Sequence, residues 1–253
     1  MKQKYTHFIP VLQGRTLTMI LIMTVIISPT SFALAKTDLS PAENLLKAAD
    51  DIRNPGESFE MNIDVEDSDN SSSSFTVFLK GKDKTMIVTK APSRDRGRNM
   101  LMIEQDFKVY VPNLKRSMRL SLAQKLSGQV ANGDIARTRW FGDYDVSIEL
   151  PEAKNIRLFL KARHENLTYP AIRLWIDKVT KRPLRAEYLG SNGKTILKNA
   201  YFEEYKSMEG LMRPSLIRIE DTSGKTSRIL IKEMKRKKLE DSFFTVRNSE
   251  TIR

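Results

Sequence analysis

The sequence predicts a mainly β protein: an antiparallel meander of roughly eleven or twelve strands, preceded by one helix and interrupted by one irregular insert. Three observations predict it. Short stretches alternate apolar and polar side chains, the period of a half-buried strand. Compact turn sequences separate them, among them Gly81-Lys82-Asp83-Lys84 and Ser191-Asn192-Gly193-Lys194. Helical spacing is sustained only near the start of the chain, at Leu45, Leu46, Ala48, Ala49 and Ile52.

Residues 1–35 read as an export signal. Lys2, Lys4 and Arg15 precede an apolar run from Leu17 to Ile27, Pro29 breaks it, and Ala33-Leu34-Ala35 has the small-x-small pattern of a cleavage site. The run is shorter than the ~20 residues that span a bilayer. No cysteine follows it, so lipid anchoring of the chain itself is excluded. The expected mature protein, 36–253, holds 218 of the 253 residues and is expected to be one domain over about 39–250. The signal carries three of the 43 basic residues and none of the 31 acidic ones, which leaves the mature chain at +9. Export argues against nucleic acid as the counterpart of that charge. A dispersed basic surface and attraction to anionic headgroups both remain open.

Along the mature chain, Ser40-Pro41-Ala42-Glu43 has the residues of a capping box with proline in the first turn, and opens a helix over 40–53. Residues 58–66 alternate strictly, with Phe59, Met61, Ile63 and Val65 apolar. A polar loop is expected over 67–74, then hairpins from 75–80 with 85–90 and from 100–103 with 107–111. Residues 116–122 alternate again, with Met118, Leu120 and Leu122 on one face. The stretch 126–142 has no strand period and reads as a loop with a short helix near 134–140. Strands resume at 144–150, 156–163, 172–177, 184–189, 195–205, 216–220 and 228–234; a terminal cap or short strand is expected at 241–245. With one apolar face per strand, the sheet must curl around a core, a helix or a ligand.

The chemistry is sparse. The chain has no cysteine and two histidines. His7 lies in the signal, and His164 alone cannot make a multi-histidine metal site. Ser191 and Lys194 have the serine–lysine spacing of penicillin-interacting enzymes, but on a hairpin tip rather than at a helix start. The acidic, serine-rich stretch 64–74 lacks the glycine and distal glutamate of a calcium loop. No nucleophile–base pair, glycine-rich phosphate loop or cofactor motif is present. Methionine is frequent in the first strands, at Met61, Met86, Met100, Met102 and Met118, and soft side chains suit surfaces that fit variable apolar shapes.

Several local patterns, in order, resemble the periplasmic outer-membrane lipoprotein-sorting proteins related to the LolA and LolB carriers. They are residues 49–55 at the end of the first helix, 90–101 with Pro92 and Gly97 before a hydrophobic strand, and 107–116 with its Tyr110-Val111-Pro112. Asp134 and Asp143 in the insert, Gly193-Lys194 and Phe244-Thr245 follow. The likeness runs through nearly all of the mature chain. It departs where Phe107 stands in place of the family's usual tryptophan, and its functional arginine has Arg53, Arg94 and Arg96 as candidates by proximity.

The resemblance implies an unclosed antiparallel β-barrel whose N-terminal helix and helical insert lid an apolar cavity. It implies a periplasmic carrier or chaperone, not an enzyme, that binds lipid or the acyl chains of lipoproteins without a cofactor or metal. An inner-membrane transporter would load it and an outer-membrane acceptor unload it; no nucleic acid is implied, and a monomer is expected. The alternative is an accessory subunit of an envelope transporter that carries no cargo. Phe59, Met61, Ile63, Phe75, Val77, Met86, Val88, Met100, Met102, Leu120 and Leu122 share the apolar phase of their strands and are the candidate cavity wall. At 86–88 and 100–103 apolar residues run on consecutively, and a bulge would exchange the faces.

N-terminal sequencing of the exported protein is expected to begin at Lys36. A full-length form firmly held in the inner membrane would contradict the signal-peptide reading.

Overall fold

The computed structural model describes Met1 and residues 38–253 other than Pro55 and Glu152; the cleavage site lies outside the described residues. Leu39–Arg253 form one compact unit. Helix α1 (Pro41–Arg53) opens with the expected capping box: Ser40 Oγ accepts from Glu43 N at 3.2 Å, and Ser40 N donates to Glu43 Oε2 at 2.8 Å. A first meander follows, of β1 (Phe59–Asp67), β2 (Ser72–Lys80), β3 (Lys84–Ala91), β4 (Met100–Ile103), β5 (Asp106–Val111) and β6 (Arg116–Arg119). The insert holds a small hairpin, β7 (Lys125–Ser127) with β8 (Val130–Ala131), and helix α2 (Asn132–Ala136). A second meander comprises β9 (Tyr144–Pro151), β10 (Asn155–Ala162), β11 (Ala171–Asp177), β12 (Pro183–Leu189), β13 (Ile196–Met208), β14 (Leu211–Asp221) and β15 (Thr226–Arg236), and helix α3 (Val246–Thr251) ends the chain. Among the described residues no helix is long and apolar enough to cross a membrane.

The two meanders make one 13-stranded sheet because β15 returns to pair antiparallel with β1. β6 and β9 are its two edges, and they do not pair with each other, so the sheet is mainly antiparallel, curled and unclosed. The expected loop at 67–74 is shorter than the sequence suggested. Ser72–Ser74 already belong to β2, opposite Asp64–Glu66, and Ser74 Oγ donates to Asp64 Oδ1 at 2.7 Å. Serines with cross-strand hydroxyl partners satisfy a strand as well as a turn. At the other end of the meander, β6 stops at Arg119, so Leu120 and Leu122 lie beyond it. The expected hairpin at 191–194 is present: Gly193 has φ +65°, and Asn192 Oδ1 accepts from Lys194 N and Thr195 N. His164 is exposed.

The concave face carries the main core, and α1 packs into it through Leu46 and Ala49. On the convex face of the second meander the strand registers align Arg157, Trp175, Arg185, Tyr201 and Arg218 in one row across five strands. Arg185 Cζ sits 4.9 Å from the Trp175 ring centre, and Arg218 Cζ sits 4.0 Å from that of Tyr201. Glu149 and Glu187 bind the arginines beside them. Much of the basic charge of this meander is therefore spent on its own sheet.

Strands β2–β4 are apolar on both faces. Their convex side holds Phe78, Met86, Val88 and Leu101, and the C-terminal segment folds back to cover them with Leu239 and Phe244. Asn99 Nδ2 donates to the carbonyls of Ser249 and Ile252, at 3.0 and 2.9 Å. Asp241, expected in a cap or short strand, begins a 3-10 turn and pairs with Lys80 and Lys84 at 2.8 and 2.7 Å. Bonds from these lysines hold its carboxyl down at about 2.

A carboxylate held low by partners stabilises the folded state above the ordinary carboxylate range near 4. That contribution is lost as pH falls towards 2. The Asp241 carboxyl is therefore expected to titrate near 2 by NMR. Between about pH 4 and 2, hydrogen exchange in the C-terminal segment should accelerate in the wild type and lose that pH dependence in Asp241→Asn.

Candidate functional site

The concave face is closed by α1 on one side and by the insert on the other, and a buried carboxylate joins them. On α1, Leu46, Ala49, Asp50 and Arg53 follow the i, i+3, i+4, i+7 spacing of one helical face. The inward face thus carries a charge pair as well as apolar groups. Asp50 is fully buried. Its Oδ1 accepts from Trp140 N at 3.0 Å, its Oδ2 accepts from Phe141 N at 3.2 Å, and Lys82 Nζ of the β2–β3 turn lies 3.4 Å from Oδ2. Burial pushes this carboxyl up, against the opposing pull of Lys82, Arg53 and the two amides. One side chain therefore ties helix, insert and hairpin together.

A second polar knot pins the insert to the same hairpin tips. Asp143 receives Arg137 through Nε at 2.6 Å and Nη2 at 2.8 Å, a side-on fork, and also binds Arg139. Arg139 Nη1 reaches Asp83 Oδ1 at 2.7 Å, Arg137 Nη1 donates to the Glu104 carbonyl, and Thr85 Oγ1 donates to the Ala136 carbonyl at 2.8 Å. Deeper in the insert, Asp134 accepts from Ala131 N and from the Tyr169 hydroxyl, both at 2.8 Å, and burial raises its carboxyl too. Tyr169 stacks on Tyr188 with ring centres 3.8 Å apart. Elsewhere the insert approaches β1 so closely that a Cβ on Gly128, whose φ is +50°, would lie 1.6 Å from Asp67 Oδ1.

Arg53 points into the space under the insert. Its guanidinium carbon sits 4.1 Å from the Trp140 ring centre, and Trp140 meets Phe202 edge-on. Its Nε and Nη1 are buried with no hydrogen-bond partner among the described residues. Of the three candidate arginines only this one enters the cavity region; Arg94 and Arg96 are exposed on the loop after β3.

Among the described residues two small cavities lie under the lid elements, beside a more open pocket of about 500 Å3 lined by Phe107, Leu120, Leu122 and Leu167. The larger of the two, about 160 Å3, lies over β2–β5 and is lined by Phe75, Met100, Val109, Leu120 and Leu126 with Thr89, Asp95, Arg98 and Lys125. The smaller, about 50 Å3, lies at the end of α1, among Phe59, Met61, Ile63, Leu79, Ile217, Ile229 and Ile231, with Arg53, Asp134 and Arg213. A dry cavity of ~150 Å3 admits a benzene. Leu46 and Ala49 of α1, with Ile135 and Trp140, are buried in the same core.

Of the candidate wall residues, Ile63, Phe75, Val77, Met100, Met102 and Leu122 are buried in the main core, and Met61 and Leu120 pack against it. Phe59 is buried and lines the smaller cavity. Met86 and Val88 are a correction. Val77 pairs with Ile87, which puts Thr85, Ile87 and Thr89 on the concave face and Met86 and Val88 on the convex one, under the C-terminal segment. A strand apolar on both faces loses the alternation that tells them apart. Sequence reasoning marked Asp134 and Asp143 only as part of the family pattern and gave no role to Asp50 or Arg213. Arg213 carried a readable signal, since it stands on the same alternation as Ile217 and Ile219 in β14.

Residues 81–251 match the model of a family described as uncharacterized-protein-like. Among solved structures, a LolA superfamily protein from Nitrosomonas europaea is 33% identical, with a TM-score of 0.75, covering 82% of this chain and 98% of that one. The chain belongs to the LolA superfamily. An outer membrane lipoprotein-sorting protein domain from Vibrio parahaemolyticus shares the fold at a TM-score of 0.71 and 18% identity, over 83% of this chain and 98% of that one. A DUF1329 family protein from Desulfovibrio piger does so at 0.70 and 20%, over 81% and 96%. No curated protein matches the chain. LolA-like proteins are binding and carrier proteins rather than enzymes. Among the described residues of this LolA-like chain no group of three or more His, Cys, Asp or Glu could hold a metal ion.

Asp50→Ala removes an acceptor for two backbone amides and leaves Lys82 without its buried partner. The expected loss is about 2–4 kcal/mol in urea unfolding. Hydrogen exchange should speed up first at the Trp140 and Phe141 amides; equal protection in the variant would show that the tie carries no strain.

Proposed function

We propose that this protein is a periplasmic carrier that binds lipid, or the acyl chains of lipoproteins, on the concave face of its sheet and moves them towards the outer membrane. The observation that carries the reading is the construction of the concave face. Its wall is apolar, yet the elements covering it are held by a handful of polar ties, chiefly those of Asp50 and Asp143, rather than by continuous strand pairing. Water exposure costs an acyl chain ~0.8 kcal/mol per CH2, or roughly 12 kcal/mol for sixteen carbons. A carrier must supply that burial and also give it up. Side chains of α1 and the insert, which fill the volume when no chain is present, keep the empty wall from water. Met61, Met100 and Met102 can remould around a chain that displaces them. Membership of the LolA superfamily supports the same reading. Loading by an inner-membrane transporter and unloading to an outer-membrane acceptor complete the proposal, with residues 36–253 acting as one domain.

The small volumes of the two cavities favour a second reading, an accessory subunit of an envelope transporter whose concave face stays filled. Met61→Trp and Met102→Trp add volume without charge and discriminate between the two. If chains enter beside these residues, both variants should fold and bind a fluorescent acyl probe at least about tenfold more weakly, the equivalent of 1.4 kcal/mol. Unchanged affinity in both would remove the cavity assignment, and absence of probe binding by the wild type would favour the accessory subunit.

A further inference from the structure

The pocket at the end of α1 is apolar over most of its wall but holds two guanidinium groups, that of the half-buried Arg53, whose Nε and Nη1 are buried, and that of the buried Arg213. Arg213 is 3% exposed. Its Nη1 meets only the sulfur of Met234, and its Nε and Nη2 have no hydrogen-bond partner among the described residues. The Phe59 ring centre is 5.0 Å from its guanidinium carbon. Burying a guanidinium with no oxygen acceptor is costly, and polar groups left so in a native protein call for an explanation. The charge balance sharpens the point. Arg53 feels both buried acids, Asp50 and Asp134. Asp134 has its oxygens taken by Ala131 N and the Tyr169 hydroxyl. Arg213 feels only Glu57, which is half-exposed and paired at 3.1 Å with Arg236, and Arg236 opposes it. Burial accordingly lowers the Arg213 pKa to about 10.

The geometry of the free donors says what is missing. Nε and Nη2 form the side-on edge of a guanidinium, which matches the two oxygens of a carboxylate or phosphate. In this same protein Arg137 uses that edge to hold Asp143 at 2.6 and 2.8 Å. Arg213 presents the edge with no acceptor on it, beside Phe59, Met61, Ile217 and Ile231.

We propose that this pocket binds an amphiphile with an anionic head, its carboxylate or phosphate on the Nε–Nη2 edge of Arg213 and near Arg53, and its chain along the concave wall. The proposal rests on the carrier reading and adds the class of cargo. Neutral lipids of the same length offer the fork a single uncharged carbonyl or hydroxyl oxygen in place of an anionic pair and bind less well.

The test uses the mature protein, with cis-parinaric acid and its methyl ester as fluorescent probes and lysophosphatidic acid and monoacylglycerol as competitors. A charge-assisted fork predicts that the acid binds at least about tenfold tighter than the ester. Lysophosphatidic acid should displace the probe better than monoacylglycerol. In Arg213→Met, of similar length and no charge, the acid-to-ester ratio should fall towards one; Arg213→Lys, which keeps the charge without the fork, should give an intermediate ratio. The wild-type ratio decides the matter even if a variant fails to fold. Acid and ester bound equally by the wild type, or a ratio that persists in folded Arg213→Met, would overturn the anionic head while leaving the carrier reading intact. Binding of neither probe would overturn both. Inorganic phosphate bound as tightly as the acid would assign the pocket to a free anion and overturn the amphiphile.

Discussion

Everything in this molecule depends on the ladder between β1 and β15. It runs from Phe59 opposite Arg236 to Asp67 opposite Ser227, with one irregularity at Asn62–Ile63. Each meander alone is a run of local hairpins, which sequence-adjacent contacts can form. Only this pairing, between strands some 170 residues apart, makes them one curved surface with a common concave side. Given that surface and no closure between β6 and β9, the concave side must be covered by elements outside the thirteen-stranded sheet. The chain supplies α1 from before the sheet and the insert from its middle.

That cover is fastened by buried polar groups. A dry, wholly apolar seam between α1 and the sheet would bind more strongly and less selectively. Asp50, Asp134 and Asp143 instead meet backbone amides, a phenol and guanidinium forks at defined positions, so that the lid elements have one seated arrangement. Outside that arrangement the same groups must find water, which makes seating nearly all-or-none. Arg53 and Arg213 depart from this rule, since both carry buried nitrogens that no acceptor meets, and both face the same pocket.

Strand positions, the capping box of α1 and the hairpin at 191–194 were legible because each is a local matter of side-chain period or turn chemistry. The family was legible from ordered local patterns. The face of β3 was not, since Met86, Ile87 and Val88 are all buried and the C-terminal segment that covers two of them is remote in sequence. The candidate site was half legible. The apolar wall follows from alternation at Met61, Ile63, Phe75 and Val77. The polar fastenings do not, because Asp50 and Asp51 are adjacent acids and only the packing of α1 buries the first. Helical phase with Leu46 and Ala49 would have favoured Asp50, and strand phase with Ile217 would have singled out Arg213.

The two free edges, β6 and β9, have a mechanical consequence. In a closed barrel the number of strands and their stagger set the diameter, and widening it means breaking a ladder. An open sheet behaves as a leaf spring. Small increments of twist, distributed over the twelve ladders that join its thirteen strands, change its curvature while every interstrand hydrogen bond survives. The space beneath α1 is thus set by elastic bending and by how the lid is seated, and the open framework fixes no single diameter for it.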